Sequence, residues 1–242
     1  MAASVRLHWI PVGAGRRVVR GSTRILENLD ARRHHRPQAT LYHSALEVRL
    51  DADRWTVEMA PAWGGPGHDR GVTTTGPVGL RRLGASPLSR YEVRVWRDGT
   101  VPDLAYAVGE AVRVSTDPVH VRRLLDAGSR VPALTWGRDE LGLGDMWNSN
   151  SVVAWMLATS GHLVDTIAPP GGGRAPGWAA GLELARRSGQ TGRSTPASSS
   201  TPSTSRGPGR AHIPSASTAC TRTPLGSIPV MASAWAWAPA RS

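Results

Sequence analysis

Asp145-Met-Trp-Asn-Ser-Asn-Ser-Val-Val-Ala-Trp-Met-Leu157 decides how the rest of the chain is read. Asn148 or Ser149 suits a helix cap, because a short side-chain oxygen there accepts from the free amides of the first turn. Val152, Val153, Trp155, Met156 and Leu157 then cover most of the helix circumference. A helix over 148–160 has no solvent side and belongs in an interior. Gly161 stops it.

Working outward, the upstream chain supplies strands for that helix to pack on. Val5 to Val12 reads as a first strand and Arg17 to Arg20 as a second. Leu41 to Leu50 alternates, with Tyr42, Leu46, Val48 and Leu50 on one face and His43, Ala45, Glu47 and Arg49 on the other. Arg54 to Ala60 repeats the pattern with Trp55, Val57 and Met59. Matching the apolar sets predicts Val48 opposite Val57, Leu46 opposite Met59, and Ala52-Asp53 as a two-residue turn. Glu47 then faces Glu58 across the strands. A short strand over 71–79, a further alternating strand over Arg90 to Trp96 and a helical turn over Asp103 to Val108 follow. Asp117-Pro118 opens a helix by the N-cap-then-Pro pattern. Ala175-Pro-Gly-Trp-Ala-Ala-Gly181 leads into a last short helix ending at Arg187. The expected fold is α+β, an antiparallel sheet packed with a buried helix near 148–160.

Composition bounds the rest. Glu183 is the last acidic residue of the 242, and the chain beyond it is rich in Ser, Thr, Pro and Arg. Residues 1–187 are expected to form one domain and 188–242 a disordered tail. The net charge of +11 owes most to the acid-free stretch that follows Glu183. Seven of the 29 arginines lie there, leaving 22 against 18 acids up to and including Glu183. With no lysine at all, the basic balance points to coding bias rather than phosphate recognition, and nucleic acid is an unlikely partner. The one cysteine lies in the tail, no stretch is long and apolar enough for a membrane span, and no signal peptide opens the chain. A cytoplasmic protein is expected. His34-His35 sits among Arg32, Arg33 and Arg36, so the stretch from Leu29 to Gln38 reads as a solvated loop rather than a metal site. Gly171-Gly-Gly173 lacks the strand–loop–helix context of a phosphate loop. Neither a cofactor nor a metal is expected.

Two motifs carry chemistry. His43-Ser-Ala-Leu-Glu-Val48 resembles the histidine strand of circularly permuted papain-fold proteins, the group of NlpC-like and lecithin:retinol-acyltransferase-like enzymes. Asn148-Ser-Asn-Ser-Val-Val153 resembles their helix opening, with Ser149 at the position of the nucleophilic cysteine. The span from Val5 to Gly181 is similar to an actinobacterial protein family. The resemblance implies that His43 and the helix start converge across about a hundred residues of chain. In the parent pattern the helix N-terminus favours a thiolate and the imidazole takes its proton. A serine hydroxyl ionises far less readily, so Ser149 would need His43 as base and an acid to orient it. Glu140 and Asp145 precede the helix and are the candidates. Glu58 is set aside, because opposite Glu47 it stands ~13 Å along the strand from His43. The leading expectation is a papain-fold relative without thiol chemistry, serving as a binding or structural module. The alternative is a serine-type hydrolase or acyltransferase.

Overall fold

In a computed structural model of the chain, residues 2–14, 27, 31–33, 35–62 and 70–191 are described. Six strands form one antiparallel sheet: β1 (Ala3–Pro11), β2 (Tyr42–Leu50), β3 (Asp53–Pro61), β4 (Val72–Pro77), β5 (Arg90–Arg97) and β6 (Val112–Ser115). Their order across the sheet is β4-β5-β3-β2-β1-β6. Three α-helices follow the strands among the described residues: α1 (Pro118–Gly128), α2 (Ser149–Thr159) and α3 (Trp178–Thr191). The α+β class and the antiparallel sheet expected from the sequence are both present.

Alternation assigns the two faces. Val5, Leu7 and Trp9 of β1 lie in register with Val48, Leu46 and Ser44 of β2, and Val57 continues the row into β3. On this face the helices close the main core, where Val121 and Leu124 of α1 and Val153, Met156 and Leu157 of α2 are all at most 1 % exposed. Each such side chain removed from water contributes about 2 kcal/mol. Along α2, every residue from Ser149 to Leu157 is buried, as a helix apolar all round requires. It is covered outside by α3, and Gly181 permits the approach: a Cβ there would stand 2.2 Å from the Ser151 carbonyl oxygen.

The other face is thinner and more polar. Ile10, Ala14, Ala45 and Val101 form a small cluster under the 3-10 turn Pro102–Tyr106. Beside it, Arg94 bridges Glu58 at 3.0 Å and Glu92 at 2.9 Å, and Arg70 lies 3.6 Å from Glu92. Burial outweighs the attraction of Arg94 and raises the pKa of Glu58. His8 Nε2 is 3.7 Å from Glu47 Oε2.

The β2–β3 register differs from the expected one by two residues. Leu46 pairs with Val57, Val48 with Trp55, Glu47 with Thr56 and Leu50 with Asp53. The turn is therefore Asp51-Ala52, with Asp51 at φ 57°, a left-handed conformation that Asp tolerates better than most residues. A shift of two keeps every side chain on its face, so the face assignments hold while the partners change. Glu58 does not oppose Glu47, and the ~13 Å argument against it falls with the register.

Other differences are local. Val112–Ser115, an alternating run of only four residues, pairs with β1 and forms one edge of the sheet. The Arg/His-rich stretch is anchored rather than merely solvated: Ala31 is buried, and Arg36 donates to both oxygens of Glu27. Helix α3 runs to Thr191, past the expected boundary at 187. The strand expected over Arg17 to Arg20, His34 and the tail from 192 lie outside the described residues.

Candidate functional site

The site is built where β2 loses a neighbour. Leu46 is the last β2 residue in register with β3, so the β3-side edge of Tyr42–Ala45 is left to other segments. Arg174 takes part of it, its carbonyl accepting from the Tyr42 amide at 2.8 Å. The start of α2 takes the rest. Asn150 Nδ2 donates to the Tyr42 carbonyl at 2.9 Å, and Ser44 Oγ donates to Asn150 Oδ1 at 2.8 Å, both bonds buried. The same Nδ2 reaches the Pro176 carbonyl at 2.8 Å.

The two motifs therefore meet through the neighbours of the expected residues: Ser44 follows His43, and Asn150 follows Ser149. Ser44 occupies the one gap in the apolar stripe of β2, between Tyr42 and Leu46, and that gap was the available signal for a polar contact on the helix side. Asn150 carried no such mark.

The helix start is capped in full. Asn148 Oδ1 accepts from the amides of Asn150 and Ser151, and Ser151 Oγ accepts from the Asn148 amide while donating to the Met146 carbonyl. This reciprocal box satisfies donors that a helix terminus otherwise leaves open. Asn148 Nδ2 donates to the Pro176 carbonyl at 2.8 Å. Gly177, at φ 90°, brings its amide to Asp145 Oδ1 at 2.6 Å, and a Cβ there would strike Asn148 Oδ1.

Ser149 is the first residue of α2, 8 % exposed, and among the described residues nothing hydrogen-bonds its Oγ. His43 pairs with Ile10 in register, and alternation turns it with Ala45 to the face away from Ser44 and Leu46. Its ring keeps some solvent contact, yet protein surrounds it closely enough that desolvation lowers its pKa to about 4. No hydrogen bond joins His43 to Ser149, and among the described residues no acid pairs with the imidazole. The two candidate acids serve the backbone instead. Glu140 Oε1 accepts from the Thr135 amide at 3.2 Å, and Asp145 Oδ1 accepts from the amides of Met146 and Gly177.

A neutral imidazole with so low a pKa is a weak base at neutral pH, since general-base efficiency is best when the pKa lies near the working pH. No group of three His, Cys, Asp or Glu side chains comes together among the described residues, and no described helix is long and apolar enough to cross a membrane. Comparison with family models, with curated proteins and with solved structures finds no match to this chain.

Proposed function

We propose that this chain is a binding or structural module, a papain-fold relative in which the helix start has passed from catalysis to architecture. The observation that carries the reading is the employment of the expected catalytic groups. Of these, Glu140 and Asp145 accept from backbone amides. Among the described residues Ser149 Oγ is left without a hydrogen bond, and His43 has no acid beside it and a pKa far below the range of a working base. Descent from the parent fold rests on the two sequence motifs. It takes a form in which the motifs still meet while the imidazole faces away.

A fluorophosphonate probe, which phosphonylates activated serines with loss of fluoride, tests this directly. The full chain is expected to remain unlabelled, and Ser149→Ala is expected to alter stability by less than about 1 kcal/mol. Labelling that disappears in both Ser149→Ala and His43→Ala would instead establish a serine-type hydrolase or acyltransferase.

A further inference from the structure

The turn that ends α2 holds a histidine whose buried nitrogen has no partner. Ser160 Oγ lies 2.6 Å from the Met156 carbonyl and 3.0 Å from that of Leu157, so its one proton is given to those acceptors. The same oxygen stands 2.8 Å from His162 Nδ1 and must accept there. That fixes the tautomer: Nδ1 carries the proton and Nε2 presents a lone pair. His162 is 6 % exposed, its amide is held by the Leu157 carbonyl, and its Nε2 is fully buried without a hydrogen-bond partner. Burial first, and His120 second, lowers its pKa. A buried acceptor without a donor calls for an explanation.

The facing group is His120 on the first turn of α1. The ring centroids are 5.4 Å apart with 52° between the planes. His120 Nδ1 is 3.8 Å from Asp117 Oδ2, and its Nε2 lies 3.8 Å from where a Gly161 Cβ would stand. Its Nε2 edge therefore overlies the turn leading into His162. Two imidazoles that hold one zinc ion at ~2.0–2.1 Å through Nε2, at a tetrahedral angle, have ring centres about 5.3 Å apart. Ser160 Oγ holds the other nitrogen of His162 as in metal-binding histidines, and the Asp117 carboxylate stands 3.8 Å from the other nitrogen of His120.

We propose that His120 and His162 form a two-nitrogen site for a divalent transition-metal ion, zinc or one of similar preference, tying the start of α1 to the end of α2. Solvent completes the coordination, since no third acid, cysteine or histidine among the described residues joins them. The His120 side chain is 35 % exposed and offers the entry path by rotating its ring. The site lies at the opposite end of α2 from the β2–α2 junction and does not rest on the function proposed for it.

Calorimetric titration of the full chain with Zn2+, with Co2+ as a spectroscopic substitute, tests the site. One equivalent is expected to bind. His120→Ala, a change at a partly exposed position that leaves the core intact, is expected to weaken binding at least tenfold. Ser160→Ala, which frees the tautomer, is expected to weaken it by about tenfold. The double substitution His34→Ala, His35→Ala is expected to leave it unchanged. Absence of binding at millimolar metal would overturn the site, as would a His120→Ala variant that binds like the parent or binding abolished by the His34/His35 change.

Discussion

The two faces of the sheet are closed by different chemistry. On one, large side chains from three helices meet an apolar surface, and the polar pair Ser44 and Asn150 within it is neutral and hydrogen-bonded. On the other, a small apolar cluster sits beside Arg94, Glu58, Glu92, Glu47, His8 and His43, so charge and protonation hold what packing does not. Burial sets the polar face against itself, lowering the pKa of His43 and raising that of Glu58 by the same desolvation. Catalytic potential read from residue types alone would favour the helix start. His43 and Glu58, whose pKa values burial shifts, lie on the opposite face.

The contrast is open to three measurements. Asn150→Ala removes the partner of two carbonyls and a hydroxyl in the interior, and is expected to cost about 4 kcal/mol in denaturant unfolding. A loss below about 1 kcal/mol would mean that the helix start is held by packing alone. Arg94→Met strands Glu58 and Glu92 together, and is expected to cost about 3 kcal/mol. Adding Glu58→Gln and Glu92→Gln should recover most of that loss, and failure to do so would show that Arg94 acts through packing rather than charge. The smallest effect is on pH dependence. His43 binds its proton near 6.5 when unfolded and at about 4 when folded, so its contribution to stability is complete above pH 6.5 and is lost as pH falls towards 4. With the ring's remaining solvent contact, that loss is about 2 kcal/mol. The difference between the parent and His43→Gln isolates it from His8 and His162, whose lowered pKa values act in the same direction.

Much of this was legible in the sequence, for identifiable reasons. Val152 to Leu157 read as an interior helix, and of the two cap residues the sequence offered, Asn148 and Ser149, the structure uses Asn148. Strand alternation placed His43 and Tyr42 on opposite faces correctly, because a face depends only on parity. The β2–β3 partners were misread by two residues because apolar matching is satisfied equally well by either register, and the choice fell to Asp51 at a positive φ. The bond between Ser44 and Asn150 was not legible, because neither an isolated serine in a strand nor an asparagine in a first helical turn declares a distant partner.

Asn150 also orders events in time. Its side chain joins partners 108 and 26 residues away, the Tyr42 and Pro176 carbonyls, and its Ser44 bond spans 106. Closing the longer loops carries an entropic cost that grows with the logarithm of their length, and contacts of such separation slow folding. A chain emerging from the ribosome in sequence order has β1 to β3 available long before residue 176 exists. The vacant edge of β2 therefore waits for the last quarter of the described chain, and the helix that fills it locks three distant stretches in one step.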